Sequence, residues 1–179
     1  MNANLAQLQF EEIRPVEIIM QVAQTIAGRL SLGRPVSRVD INAIFQELTG
    51  SSDANDGWSV KQRNLAIEVA ELIWLRDHSD IKINSKPEEA GEKFDWLDQA
   101  LPPQHNRHDE QIVLQQFSTP VRMAWLIARA ANIRATDTML EPSAGTGLLA
   151  LWPHLAGARL HLNEIANLRR ECLSAIFLD

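Results

Sequence analysis

From Pro15 to Leu30 the apolar residues Val16, Ile19, Met20, Ala23, Ile26, Ala27 and Leu30 recur at steps of three and four, the spacing of one face of an amphipathic helix. Gly33 and Pro35 end it. Ser37 with Asp40 three residues on forms the weaker, aspartate version of a capping box, and Ile41, Ile44, Phe45 and Leu48 give the second helix its apolar face before Gly50 closes it. After the turn-rich stretch Ser51 to Gly57, Ser59 with Gln62 opens a third helix through Ala66, Val69, Ala70 and Ile73 to about Leu75. Residues 1–77 therefore read as a helical module. From His78 the pattern breaks into polar residues, and a short acidic helix from about Glu88 to Leu101 carries Phe94, Trp96 and Leu97. Pro102-Pro103-Gln104-His105-Asn106-Arg107-His108-Asp109 is linker by composition, so residues 78–109 form a connecting segment.

The character changes beyond it. Val121 to Ile133 is apolar on most sides, which predicts a buried helix. Thr138-Met139-Leu140 then runs through Glu141-Pro142-Ser143-Ala144-Gly145-Thr146-Gly147 into a helix from Leu148, a strand, a glycine-bearing turn and a helix. Gly157 and Ala158 break that helix, Arg159 to Asn163 form a second strand ending at Glu164, and another helix starts near Asn167. The order is βαβ with an acidic residue 17 positions after Gly147. The fold class is thus α/β, a helical module followed by the first βαβ unit of an incomplete Rossmann-like domain in residues 110–179.

Composition narrows the class. At 45% hydrophobic and 22% charged the chain is ordinary for a globular protein, and no apolar run approaches the ~20 residues a bilayer requires, so no membrane partner is expected. Met1 to Glu12 lacks the basic start and apolar core of a signal peptide, and Cys172 is the sole cysteine, which together point to a cytoplasmic location. The net charge of −6 is uneven: residues 1–100 carry 10 basic against 16 acidic side chains, and residues 101–179 carry 7 against 7. An acidic first part is a poor match for phosphate backbones, so contact with DNA would fall to the second part.

Gly145 and Gly147 let a ligand lie against the backbone where a Cβ would collide, and a carboxylate at the end of the next strand can take two ribose hydroxyls. Gly145, Gly147 and Ala150 also satisfy the dinucleotide pattern G-x-G-x-x-A, which leaves an oxidoreductase reading open. Against it, Glu141 to Ala144 stand between the strand and the first glycine, and Glu141 would repel a pyrophosphate and attract an ammonium. A phosphate-binding P-loop fails because no Gly-Lys-Ser/Thr follows.

Gln116-Phe117-Ser118-Thr119-Pro120, followed by Glu141-Pro142-Ser143-Ala144-Gly145-Thr146-Gly147, resembles the paired cofactor motifs of S-adenosylmethionine-dependent DNA methyltransferases that modify the exocyclic amine of adenine. More narrowly, Glu110 through Phe177, with Leu114-Gln115-Gln116-Phe117 and Leu162-Asn163-Glu164-Ile165, is similar to the methylase region of bacterial strawberry notch-type methylase/helicase proteins. The resemblance covers roughly the last 70 residues and implies S-adenosylmethionine as cofactor. It implies that Phe117, Thr119 and Pro120 hold the methionine carboxylate beside a helix start, and that Glu141, with Pro142 and Ala144 in its motif, accepts from the methionine amino group. Gly145 and Gly147 would underlie the cofactor, Glu164 would bind ribose, and Ile165 would lie against adenine. Each residue also has a plain alternative: Thr119 as a helix cap, the glycines as a turn, Glu141 as a turn cap and Glu164 as a solvated charge.

The same family carries a later Asn/Asp/Ser-Pro-Pro-aromatic motif that accepts from the target amine and stacks on the flipped base. That motif is absent, and Pro102-Pro103, between Leu101 and Gln104, reads as linker. No catalytic residue is assigned, and the chain by itself is not expected to methylate DNA. Two strands cannot surround a core, and the sequence stops inside Ala175-Ile176-Phe177-Leu178, so it is expected to be the front of a longer protein whose downstream part holds the catalytic motif, the contacts to DNA and a helicase-like motor. The competing expectation is a non-catalytic module in which residues 1–100 bind a protein partner, with residues 1–77 a possible site for one, and the βαβ piece is a remnant. His105, His108 and Asp109 have no complementing cluster for a metal, and Cys172 lacks an acid-base partner. The five tryptophans have no basic interleaving and read as packing residues, while Arg169 and Arg170 are expected on a solvated helix face.

Overall fold

The computed structural model describes residues 14–52, 58–103 and 118–177. Among them it is mixed α/β and mostly helical, with seven helices and one two-stranded parallel sheet. Helix α1 spans Pro15–Ser31, α2 Arg38–Thr49 and α3 Val60–Asp77. Both serine capping boxes form: Ser37 Oγ accepts from the Asp40 amide and Ser59 Oγ from the Gln62 amide, while the side chains of Asp40 and Gln62 accept from the serine amides in return. Gly50 ends α2 with φ +68°, a left-handed conformation that glycine adopts without strain.

Helix α3 is buried on nearly every side, from Asn64 to Leu75 with Glu71 as the exception. It is the axis of the molecule: α1 packs along it, and the two helices of the βαβ unit pack on it as well. Helix α4, Pro87–Ala100, buries Ala90, Phe94, Leu97 and Ala100, and the Phe94 ring meets Trp125 and Trp152 edge-on at 5.8 and 6.2 Å. The Val36 amide donates to the Ala100 carbonyl at 2.8 Å, and Trp125 Nε1 donates to the Lys82 carbonyl at 3.0 Å. Residues 1–77, 78–109 and 110–179 differ in composition, yet the described parts of all three contribute to one hydrophobic core.

Helix α5 spans Val121–Ala130 and differs from the buried helix expected up to Ile133. Only Val121, Ala124, Trp125 and Ala128 are buried, whereas Met123, Leu126 and Ile127 are 50%, 44% and 46% exposed. The physical reason is that α5 packs on α4 and on the helix after β1 through this single stripe, while Arg129 lies over the Trp125 ring at 5.0 Å.

Strand β1, Thr138–Glu141, pairs in parallel with β2, Arg159–Leu162, in the register Thr138 to Arg159 and Glu141 to Leu162. Helix α6, Leu148–Leu155, connects them, and α7, Asn167–Phe177, follows β2. The expected βαβ order is therefore present. Gly157, at φ +82°, terminates the crossover where the sequence placed the break. No helix among the described residues is long and apolar enough to cross a membrane.

Candidate functional site

The pairing of β1 with β2 continues past the strands and shapes the turn that follows. The Asn163 amide donates to the Glu141 carbonyl at 2.9 Å, and the Ala144 amide donates to the Asn163 carbonyl at 2.8 Å. Asn163 Nδ2 adds a bond to the Pro142 carbonyl at 3.0 Å. The turn is thereby fixed to the end of β2, with Gly145 at φ +59° and Gly147 at φ +107°, both in the region that favours glycine.

At the carboxyl end of β1, Ser118 and Thr119 from the approach to α5 meet Glu141, Ala144 and Gly145 around a cavity of about 70 Å³, with Arg169 of α7 as a further wall. Four predicted motif positions, Thr119, Glu141, Ala144 and Gly145, thus come together. Glu141 Oε1 accepts from the Ser143 amide at 3.0 Å and is half-buried. The other predicted residues sit elsewhere. Pro120 and Pro142 are exposed, Ile165 is 74% exposed, and Phe117 lies outside the described residues. His105, His108 and Asp109 lie outside them too.

Glu164 is buried, not solvated. Its Oε2 accepts from the Gly145 amide and its Oε1 from the Ala166 amide, each at 2.8 Å. A carboxylate has about four lone-pair sites, so both oxygens retain acceptor capacity for hydroxyls once the side chain is reached.

What lies over the two glycines departs from the expectation of open space for a ligand. A Cβ on Gly145 would stand 2.8 Å from Arg169 Nη2, and one on Gly147 would collide with the Phe177 ring and touch Leu173. Gly147 is therefore a packing position beneath α7. Gly145 lies beneath a guanidinium.

The expectation for Arg169 is corrected outright: it is 4% exposed, not on a solvated face. Its Nη2 donates to Glu68 Oε2 at 3.2 Å and to Ser118 Oγ at 3.0 Å, and the Thr146 hydroxyl donates to the same Glu68 oxygen at 3.2 Å. Glu68, 3% exposed, comes from α3, so the N-terminal helices reach the glycine turn through a buried ion pair. The sequence did hold a signal. Arg169, Cys172, Leu173 and Ile176 follow the buried spacing of α7, and Glu68 interrupts an otherwise apolar stretch of α3: two opposite charges at core positions.

Burial acts on two further groups near this pair. Glu71, half-buried against the helix packing, is pushed up to about 8 by its partial removal from water, with Glu68 and Asp98 adding repulsion. Burial pushes the Cys172 thiol up to about 12, with smaller contributions from Glu171 and Glu68, which leaves it a poor nucleophile.

The residues around the cavity suit the amino-acid end of S-adenosylmethionine in their chemistry: hydroxyls, a carboxylate for an ammonium, and a guanidinium. The volume suits that end alone. Sites that enclose a whole cofactor run to roughly 300–1,000 Å³, against about 70 Å³ here. No protein-family model matches the chain, and comparison with curated proteins and with solved structures finds no match.

Proposed function

We propose that the chain carries part of an S-adenosylmethionine site of the kind found in DNA-adenine methyltransferases, within an incomplete Rossmann-like unit, as the resemblance to strawberry notch-type methylase regions implies. The observation that carries the proposal is the convergence of Thr119, Glu141, Ala144 and Gly145 on one cavity at the carboxyl end of β1, the strand paired in parallel with β2. Ligands of open α/β sheets bind outside such strand ends. The Glu141 carboxylate there favours an ammonium and disfavours a pyrophosphate, which separates this reading from a nicotinamide dinucleotide site. Glu164, joined to the Gly145 amide, stands at the end of β2 where a ribose would be held. When bound, the cofactor would supply an electrophilic methyl group. The residues of this chain bind and orient it, and without the Pro-Pro-aromatic motif methyl transfer is not assigned to them.

A second reading, a protein-interaction module with a remnant fold, draws support from the small cavity and from the use of both Glu164 oxygens by backbone amides. Titration calorimetry separates the two. The methyltransferase reading expects weak, saturable binding of S-adenosylmethionine and none of nicotinamide adenine dinucleotide. Heat from the dinucleotide alone would favour an oxidoreductase, and heat from neither would favour the remnant.

A further inference from the structure

Resting on the S-adenosylmethionine reading, we propose that Arg169 is a specificity-determining residue whose guanidinium binds the carboxylate of the ligand's amino-acid end, with Glu68 and Ser118 as its positioning partners. Arg169 reaches the cavity from α7 and crosses over Gly145, inside the space the glycine leaves free. Its donors are not exhausted. Nη2 serves Glu68 and Ser118, while Nε is buried with no hydrogen-bond partner. A buried donor without an acceptor is unusual in folded proteins, and it belongs to the same guanidinium that lines the small polar cavity.

Carboxylate fits that acceptor best. Guanidinium presents a planar fork that matches the two oxygens of a carboxylate, and a charge-assisted pair of this kind is stronger than a neutral hydrogen bond. Glu141 lines the same cavity, so the space offers both signs of charge within about 70 Å³. An isolated phosphate would meet the Glu141 carboxylate, whereas the zwitterionic head of an α-amino acid satisfies both signs. Glu68 and Ser118 hold the guanidinium in place without using its remaining donors, and the Thr146 hydroxyl on the same Glu68 oxygen keeps that carboxylate oriented. The cation thus comes from outside the two motifs that carry the family resemblance.

The test compares S-adenosylmethionine with its decarboxylated analogue, which retains the ammonium and the nucleoside, by ligand-observed NMR titration of the 179-residue chain. Arg169→Gln alone would leave Glu68 buried and unpaired, so it is paired with Glu68→Gln, and Arg169→Lys serves as a second variant that preserves the charge pair. Circular dichroism and thermal melting establish that each variant folds. The wild-type chain is expected to bind S-adenosylmethionine about tenfold or more tightly than the decarboxylated compound, from the strength of hydrogen bonds between charged groups. In Arg169→Lys the preference falls to a few-fold, and in the double variant the two compounds bind within about twofold of each other. Equal binding of both compounds by the wild type, or an undiminished preference in either variant, overturns the role of Arg169 and leaves the S-adenosylmethionine reading standing. A gain in affinity for S-adenosylmethionine in the double variant also overturns it, by marking Arg169 as an obstruction. If the wild type binds neither compound, both readings fall.

Discussion

The helices of residues 14–77 and the strand-helix-strand unit of residues 118–177 use burial differently. Helix α3 is enclosed along most of its length, and Val22, Ala23 and Ile26 of α1, which packs along it, are inaccessible to solvent. In β1 and β2 the residues only alternate between exposed and half-buried, and the buried residues of that half lie in its helices, in the glycine turn and, as Glu164 and Ala166, just past the end of β2. The difference separates two tasks. Apolar burial, which supplies most of folding stability, is concentrated in the helices, while the polar groups that could meet a ligand stand at thinly covered strand ends. Glu68 and Arg169 are the exception that joins them, a charge from each half buried together in the interior.

If that junction holds the halves together, breaking it has the largest effect. Glu68→Ala leaves a buried guanidinium without its counter-ion and is expected to lower unfolding stability by about 3–5 kcal/mol, whereas Glu68→Met combined with Arg169→Met restores most of it. Urea denaturation of the single and double variants measures both; a single-variant loss under about 1 kcal/mol would mean that the halves are held by apolar contact alone. Gly147→Ala comes next, at about 3 kcal/mol, because the left-handed backbone and the clash with Phe177 add. Gly33→Ala is its control. With φ +69° and no atom near the added Cβ, it carries only the backbone cost of about 1–2 kcal/mol, and equal losses at the two sites would remove the packing role given to Gly147.

Substitutions at the strand ends should act on ligand as well as on fold. Glu164→Ala is expected to weaken S-adenosylmethionine binding by about 1–3 kcal/mol and, by releasing the Gly145 and Ala166 amides, to lower stability by about 1–2 kcal/mol. Calorimetric titration and denaturation of the same sample check the two effects, and a stability loss with unchanged affinity would make Glu164 a turn brace only. The helical half also carries a pH dependence. Glu71 stays protonated in the folded chain up to about 8 from an ordinary 4.5, so the unfolded chain releases this proton first and stability falls as pH rises. The slope from this group is at most about 1.4 kcal/mol per pH unit between pH 4.5 and 8, and Glu71→Gln should flatten it in denaturation curves taken across that range.

What could be read from the sequence was local. Ser37 with Asp40, Ser59 with Gln62, Gly50 and Gly157 each fix a helix boundary within a few residues of chain, and all four stand where the pattern puts them. The short apolar stretch Thr138-Met139-Leu140 that signals β1 is equally local. Position in the core is not. Met123, Leu126 and Ile127 satisfy the pattern of a buried helix, but burial depends on how many neighbours α5 meets, and it meets them on one side. Likewise the composition of residues 78–109 reads as linker, while Ile81, Phe94 and Leu97 are drawn into the shared core.

The candidate site divides in the same way. Thr119, Glu141, Ala144 and Gly145 stand in the two motifs that carry the family resemblance, each read from a few residues of chain. Their convergence depends on the parallel register and on the bonds between Asn163 and the turn, which no single stretch of sequence encodes. Arg169 stayed hidden because its partner Glu68 lies 101 residues away on another helix. Two isolated charges at core spacing become a signal only when considered as a pair.

The most direct test of the account is an amide chemical-shift titration of the isotopically labelled chain with S-adenosylmethionine. Saturable shifts are expected, centred on Thr119, Ser143, Gly145 and Ala166, where the cavity wall and the two Glu164 hydrogen bonds lie, with α1 and α2 unmoved. Shifts confined to the helices of residues 14–77, or no shift at millimolar ligand, would contradict it.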